Sequence, residues 1–554
     1  MHPPPKLWLL AGVVLGALAL VGVGTGSAGQ ASAKAKGTVV FGADQEPGIL
    51  NTNIIGGDPF WGSQVTSPVF TSTFRVQPDF SFRPEVISKA TITKSPFSVT
   101  YYIKKNAHWN DGKPITAQDY EFTRKTVMDP NVKILSTIGF EDIVKTKIIN
   151  SKTVRFTFKK PFAGWKTLFS GQPLLLPSHA LAGEDFNKPW LNDLNNPKTG
   201  KPISSGPFYL PSGGWQRGRQ LTLLANPRYW GPKAKLAKVV YRFLPDTNTT
   251  AEQIRGGEVD VIYAQPQLFL VPLRHQRGLK TQIGRGPIFE HIDFQEGFKG
   301  KGNPLLKNLW MRQAIGYGID RAAIVKALYT TTDIAPGLPL MNDVFITTQS
   351  PYYKPHWTYL TRKTAKARQL LTSHGCTRGG DGIYNCGGRR ASFGFVWRSG
   401  NQLRQLTFEA MQAQLKQVGI EIEADDSPNA LSQRLPNGDF DIILYAWVGN
   451  PDISGLDSIY GCRNDATNEA QQNNQGYCNR TVDRLSEAGQ PHLQHQATGG
   501  GEQPGLRADS EGPADDPAVP EADLPDLQIQ DQGREGEPDL RGSRLEHREM
   551  DGMK

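Results

Sequence analysis

The chain of 554 residues contains only four cysteines, and its last 65 residues contain no aromatic side chain. So few cysteines exclude a disulfide-rich miniature protein, and the single long apolar run excludes a polytopic membrane protein. The G-x-S-x-G, H-E-x-x-H and P-loop patterns are absent, and the ten histidines are scattered. The sequence therefore predicts no metal, no cofactor and no catalytic site. A secreted hydrolase built from distant residues is a less favoured alternative.

Charge is distributed unevenly along the chain. The net charge is +9, but residues 490–554 carry fifteen Asp and Glu against six Lys and Arg, which is 6 − 15 = −9. Residues 1–489 therefore carry 56 − 38 = +18. A basic chain can bind nucleic acid, but the basic residues here are dispersed and form no recognised binding module. A basic protein of the cell envelope, without a nucleic-acid partner, is favoured.

The N-terminus is typical of an export signal. Lys6 precedes an uncharged stretch, residues 7–33, and Ala31-Ser32-Ala33 offers small residues for cleavage. Residues 1–35 are therefore predicted to be a signal peptide. A retained membrane anchor is the alternative, because this stretch is long enough to span a bilayer.

Export to an oxidising compartment favours disulfide bonds. The closeness of the cysteines in sequence predicts two local pairs, Cys376–Cys386 and Cys462–Cys478. Zinc is the competing interpretation, but spacings of ten and sixteen residues fit no common zinc finger, and no histidine lies beside these cysteines.

Strands and helices alternate through residue 489, which predicts an α/β protein. Phe97–Ile103 has the composition of a strand, and Thr116 with Asp119 forms a capping box that starts a helix. Apolar residues at helical spacing predict a helix over Leu309–Leu328, interrupted and capped again at Asp320. Further elements are expected at Ser205–Leu210, Thr364–Leu371, Leu406–Val418 and Phe440–Tyr445.

Short motifs follow one another in a fixed order. They are Thr100–Asp119 (TYYIKKNAHWNDGKPITAQD), Ser205–Leu210 (SGPFYL), Asn226–Phe243, Gly257–Ile262 (GEVDVI), Met311–Leu328, Asp439–Trp447 (DFDIILYAW) and Tyr477–Leu485 (YCNRTVDRL). In this order the chain resembles the family 5 extracellular solute-binding proteins of ABC importers, which include oligopeptide-, dipeptide- and nickel-binding proteins.

The resemblance implies a bilobed, periplasmic-binding-protein-like α/β fold of type II, with an extra domain and a cleft that closes about a hinge. The implied boundaries are lobe I at 36–60 and 185–285, the extra domain at 61–184, lobe II at 286–489 and a tail at 490–554. The implied function is capture of peptides for a membrane permease, by a monomer in the periplasm or on the outer face of the cytoplasmic membrane. A nickel chelate, haem or sugar as ligand, or a role as a ligand sensor, is the alternative.

Family peptide binders place an aspartate three residues after the tryptophan that matches Trp447, where it pairs with the peptide α-ammonium. This chain has Asn450 there and Asp452 two residues later. Either Asp452 replaces that aspartate, or the ligand lacks a free amine at that point. The ligand-binding candidates are Trp447, Val448, Gly449, Asn450, Asp452 and, more weakly, Trp397, Gly400, Asn401 and Glu46.

The tail differs in composition from the rest of the chain. Residues 490–554 contain seven prolines and dispersed acids, a composition that buries too little apolar surface to fold. Family members continue instead with a helix and an apolar strand that completes lobe I. A shift of reading frame near residues 488–490 is the favoured explanation, and a natural disordered acidic tail is the alternative.

Overall fold

The computed structural model describes residues 36–57, 59–171, 174–264, 267–268, 270–284, 286–330, 338–343, 346–348, 350, 353–449, 456–462 and 472–485. The predicted signal peptide and the tail, and with them the question of the reading frame, lie outside the described residues.

The first sheet joins the start of the chain to residues about 200 positions later. Its strand order is β12-β1-β11-β10-β8, with β9 paired to β10. Strand β1 runs parallel to both of its neighbours, β11 and β12. The strands are β1 (Thr38–Ala43), β8 (Phe208–Tyr209), β9 (Trp215–Gln216), β10 (Gln220–Ala225), β11 (Lys238–Phe243) and β12 (Val261–Ile262).

The second sheet is antiparallel, in the order β4-β5-β7-β6, and a separate hairpin pairs β2 with β3. The predicted capping box is present, because the N–H of Thr116 donates to the Asp119 carboxylate at 2.8 Å. One cluster of buried apolar side chains joins the first and second sheets. The strands are β2 (Phe74–Val76), β3 (Phe82–Pro84), β4 (Ile87–Lys94), β5 (Phe97–Ile103), β6 (Ile143–Asn150) and β7 (Thr153–Phe158).

The third sheet has the order β13-β19-β17-β18 and a core of its own. Strand β19 is antiparallel to β13 and parallel to β17. Beside it, the small sheet β14-β15-β16 contains the Cys376–Cys386 disulfide. The strands are β13 (Ile288–Phe294), β14 (Cys376–Arg378), β15 (Tyr384–Cys386), β16 (Arg389–Arg390), β17 (Ser392–Val396), β18 (Glu421–Ala424) and β19 (Ile442–Val448).

The helices pack against these sheets, and capping residues mark where several helices start. Asp320 accepts from the N–H of Ala323 at 2.9 Å, so the predicted interruption after residue 318 is a real helix start. The helices are α1 (Pro59–Thr66), α2 (Ala117–Val127), α3 (Ser178–Leu181), α4 (Thr247–Gly256), α5 (Leu270–Arg274), α6 (Leu309–Gly318), α7 (Arg321–Leu328), α8 (Thr364–Ser373), α9 (Gln402–Val418), α10 (Leu435–Asn437) and α11 (Asp457–Tyr460).

Candidate functional site

A cavity of about 630 Å³ lies between elements of the first and third sheets. One wall comes from the end of β1, from α1 and from β12. The opposite wall comes from the start of β13, the end of β19 and the start of α9. Residues near the second sheet contribute as well, among them Ile138 and Phe140. The volume is within the range of roughly 300–1,000 Å³ that is typical of ligand pockets.

Asp44, directly after β1, is the charged residue of the first wall. Its Oδ1 accepts a hydrogen bond from Trp61 Nε1 at 2.6 Å. Its Oδ2 lies 3.1 Å from a guanidinium nitrogen of Arg398, which follows β17 of the third sheet. The Arg398 side chain is 4% exposed, so this contact joins a buried cation on one wall to a carboxylate on the other.

Hydrogen bonds to backbone groups also join the segment at residues 245–247 to the segment at residues 398–400. Arg398 donates to the carbonyl of Pro245 at 3.2 Å, and the N–H of Thr247 donates to the carbonyl of Gly400 at 3.3 Å. Gly400 has φ +80°, and a Cβ built there would lie 2.6 Å from the Pro245 oxygen. The close approach of the two chain segments therefore requires glycine at position 400.

The opposite wall contains a buried ion pair. Arg404, near the start of α9, lies 3.0 Å from the Glu290 carboxylate of β13, and both side chains are largely buried. Burial by itself would lower the pKa of Arg404, but the adjacent Glu290 carboxylate outweighs that effect, and the pKa of Arg404 lies above its usual value. Arg404 is therefore charged, and its guanidinium is hydrogen-bonded to the Glu290 carboxylate.

Residues beside and within a disulfide-closed segment line part of the cavity. Ser458 and Ile459 of α11 and Gln472 line the cavity, and the Cys462–Cys478 disulfide encloses the segment that carries Gln472. The loop is held by backbone and side-chain bonds, including the donation from Cys462 N–H to Asp483 at 3.0 Å. Both disulfides predicted from the sequence are present.

The structure places two of the predicted ligand-binding residues in the cavity wall. Trp447 and Val448 lie at the end of β19 and line the cavity. Gly449 follows them, and its N–H donates to the carbonyl of Pro287 at 2.7 Å. Asn450 and Asp452 lie outside the described residues, so the question of which of them meets the ligand stays open.

The other four candidates are not among the described residues that line the cavity. Trp397 is buried and stacks on Phe408 with ring centroids 4.8 Å apart. Asn401 caps α9 by accepting from the N–H of Arg404 at 3.0 Å. Glu46 accepts from Trp215 Nε1 at 2.8 Å.

Gly400 accepts the hydrogen bond from the N–H of Thr247 that is described above. The contacts of these four residues are scaffold contacts, and their role as ligand contacts stays a prediction.

Sequence reasoning missed Asp44, Arg404 and Tyr263, which also line the cavity. A signal existed for Asp44 alone, because the end of a strand in an α/β protein commonly faces a ligand. Arg404 lies upstream of the helix predicted from Leu406, and its partner Glu290 is 114 residues away in sequence. Among the described residues, no group of three or more His, Cys, Asp or Glu side chains is placed to hold a metal ion. Within the same residues, no helix has the length and apolar character needed to cross a membrane.

Comparison with solved structures identifies the fold. The oligopeptide-binding protein AppA from Bacillus subtilis, solved in complex with a nonapeptide, superposes with a TM-score of 0.71 at 22% sequence identity. The superposition covers 84% of this chain and 90% of AppA. The architecture is therefore the bilobed fold of periplasmic binding proteins, as the sequence motifs predicted.

Comparison with known sequences gives relatives of the same kind. Protein XP55 of Streptomyces lividans is 25% identical over 468 residues, which cover 84% of this chain and 80% of XP55. The oligopeptide-binding protein OppA of Mycobacterium tuberculosis is 28% identical over 374 residues, which cover 66% of this chain and 60% of OppA. The family model described as bacterial extracellular solute-binding proteins, family 5 Middle, matches residues 81–467. Since that match spans well over half of the chain, this protein belongs to the family 5 bacterial extracellular solute-binding proteins.

Proposed function

We propose that this protein captures peptides in the cavity between its first and third sheets and delivers them to the permease of an ABC importer. Members of the family are binding proteins, not enzymes. The observation that carries the proposal is that both sheets contribute to the wall of a single cavity. The oligopeptide-binding relatives OppA and AppA support a peptide as the ligand.

Binding and delivery are coupled through closure of the cavity. A ligand favours the closed form only if it contacts both walls. A ligand with equal affinity for the open and closed forms does not shift the equilibrium between them. Asp44 with Trp61 on one side and Trp447 on the other provide such paired contacts. The Asp44–Arg398 ion pair joins the same two sides without a ligand, so it contributes to the stability of the closed arrangement.

The place of action follows from the family and the predicted signal. Family 5 proteins are extracytoplasmic. The proposed location is the periplasm or the outer face of the cytoplasmic membrane, where a monomer would meet its permease. The proposed domain division remains the one given above, with lobe I discontinuous and an extra domain at residues 61–184.

Thermal unfolding of the full-length chain tests the ligand class. Peptide mixtures are expected to raise the melting temperature, because a ligand that binds only the native state stabilises it by mass action. Sugars and nickel chelates at the same concentration serve as the comparison. A rise with sugars or chelates and none with peptides would overturn the peptide assignment.

A matched pair of tryptophan variants tests the location of the site. Trp447→Ala removes an aromatic side chain from the cavity wall and is expected to weaken peptide binding by about tenfold or more. Trp310→Ala is the control, because Trp310 stacks on His374, packs against the third-sheet core and is not among the residues that line the cavity. Equal losses of affinity in the two variants would place the ligand elsewhere.

A further inference from the structure

The cavity contains little charge. Of the described residues that line it, two belong to the charged residue types, Asp44 and Arg404. The others are apolar side chains, glycines, or uncharged polar side chains such as Ser63, Gln64 and Gln267. The body of the protein is strongly basic, so the composition of the cavity differs from that of the surrounding chain.

Each of the two charges is already paired with an opposite charge. Asp44 contacts Arg398 at 3.1 Å and also accepts from Trp61. Arg404 contacts Glu290 three times, at 3.0, 3.2 and 3.3 Å. Across these two pairs, the net charge presented to a ligand is zero.

Apolar side chains from both walls are exposed toward this space. Tyr263, after β12, is 58% exposed, and Val448, at the end of β19, is 43% exposed, although both are large apolar residues. Phe60 stacks on Tyr263 with ring centroids 5.8 Å apart, which extends the aromatic surface. Covering such surface is favourable by about 25 cal/mol per Å². The exposed apolar groups thus point to an apolar group on the ligand.

We propose that the cavity selects peptides whose enclosed side chains are apolar or aromatic, and that it discriminates against charged side chains. The inference rests on the proposed function and narrows it. A lysine or glutamate side chain enclosed here loses hydration and meets two charges that are already engaged, so its desolvation is poorly compensated. The uncharged main chain of the peptide, in contrast, matches the hydroxyl and amide groups of the walls.

Peptide pairs that differ only in charge provide the test. Calorimetric titration of the full-length protein compares Ala-Ala-Lys-Ala-Ala with its Nε-acetyl-lysine form, and Ala-Ala-Glu-Ala-Ala with Ala-Ala-Gln-Ala-Ala. The uncharged member of each pair is expected to bind at least about tenfold more tightly, and Ala-Ala-Phe-Ala-Ala at least as tightly as either uncharged member. Equal affinities within the pairs, or tighter binding of a charged member, overturn the inference and leave the proposed function standing. If the protein binds none of these peptides and no peptide in the mixtures, the proposed function itself is overturned.

A charge placed in the wall gives a second readout. Val448→Glu adds a negative charge to the wall, which attracts lysine and repels glutamate. The ratio of affinities for the acetyl-lysine and lysine peptides is expected to fall by at least about threefold, and the ratio for the glutamine and glutamate peptides is expected to rise. Ile148→Glu is the control, because Ile148 is similarly exposed, at 44%, but lies on β6 of the second sheet, outside the lining residues. Its two ratios are expected to match those of the unmodified chain. Unchanged ratios in a Val448→Glu protein that still binds peptide overturn the inference.

Discussion

The two disulfide bonds close loops of similar length in very different surroundings. Cys376 and Cys386 are directly paired residues of the β14–β15 hairpin; both are buried in the core of the third sheet, and neither lines the cavity. Cys462 and Cys478 instead enclose the segment that carries the cavity-lining Gln472. The same covalent chemistry thus closes a hairpin away from the cavity in one place and a segment that reaches the cavity in the other.

Charged groups differ between these two regions in the same way. On the cavity side, Arg404 and Glu290 are buried and satisfy each other. In the small sheet that contains the β14–β15 hairpin, Arg390 pairs with both Asp381 and Glu421 while remaining exposed to solvent. Removal of one partner should be costly in the first region and nearly neutral in the second, because solvent replaces the partner only where it has access.

The largest effect is expected at the buried ion pair. Arg404→Leu removes three hydrogen bonds that the buried Glu290 carboxylate accepts from Arg404, which should lower the free energy of unfolding by about 3–5 kcal/mol in urea denaturation. Arg390→Leu is the matched control and should leave the denaturation midpoint almost unchanged. Similar shifts of the midpoint for both variants would remove the distinction between the two regions.

The next largest effect is on the pH dependence of stability, which should have opposite signs for Glu141 near the cavity and Glu421 beside Arg390. Burial raises the pKa of Glu141, which follows the cavity-lining Phe140, from 4.5 to about 7. The native state therefore keeps a proton that the unfolded state releases, and stability falls as pH rises from 4.5 to about 7, by about 3 kcal/mol. The hydrogen bond from Arg390 lowers the pKa of Glu421, so its contribution is present above pH 4.5 and is lost in more acidic solution.

Urea denaturation across pH separates these contributions. Glu141→Gln should abolish most of the fall in stability between pH 4.5 and 7, whereas Glu421→Gln should alter only the acidic limb. A fall between pH 4.5 and 7 that persists in Glu141→Gln would assign it to another group.

The two disulfides should contribute about equally to stability but unequally to binding. Loop separations of 10 and 16 residues correspond to about 3 kcal/mol each in the chain-entropy relation. Replacement of Cys462 and Cys478 by serine should also weaken peptide binding, because the segment that carries the cavity-lining Gln472 is no longer closed by a covalent bond. Replacement of Cys376 and Cys386 should leave the dissociation constant unchanged in calorimetry at a temperature where both variants are folded. Equal affinities of the two double variants would show that the enclosed loop is not a positioning element.

The smallest effect is expected at two glycines with similar backbone conformation. Gly400→Ala and Gly375→Ala both place a side chain at positive φ, +80° and +76°, which costs roughly 1 kcal/mol each. Only at Gly400 would the new Cβ also meet the Pro245 oxygen, whereas nothing lies within 4 Å of Gly375. Gly400→Ala should therefore lose additional stability and weaken peptide binding. Identical unfolding curves and affinities would contradict the described contact between the walls.

Local signals predicted local structure well. The capping box at Thr116, the interruption at Asp320 and both disulfides depend on residues close in sequence, and all are present. Boundaries were less accurate: the strand expected at Ser205–Leu210 is only Phe208–Tyr209, and α9 begins at Gln402 instead of Leu406. The first difference arises because β8 pairs with β10 through only two residues. The second arises because Asn401 provides a cap five residues upstream of Leu406.

The binding site was only partly predictable, because its charges are arranged by tertiary structure. Trp447 lies at the end of β19, whose core was predicted as a strand, and it lines the cavity; its contact with a ligand stays a prediction. The Asp44–Arg398 pair joins residues separated by 354 positions, and no local pattern indicates it. Asn401, a predicted ligand contact, caps the helix that carries Arg404, and its role toward a ligand stays a prediction.

A crystal structure of the full-length protein with Ala-Ala-Phe-Ala-Ala tests the central claim most directly. The account predicts the peptide inside the cavity, in contact with residues of both walls, with the phenylalanine against the apolar side chains around Tyr263 or Val448 and both ion pairs intact. A peptide bound on another surface, or one held by a wall of a single sheet, would contradict it.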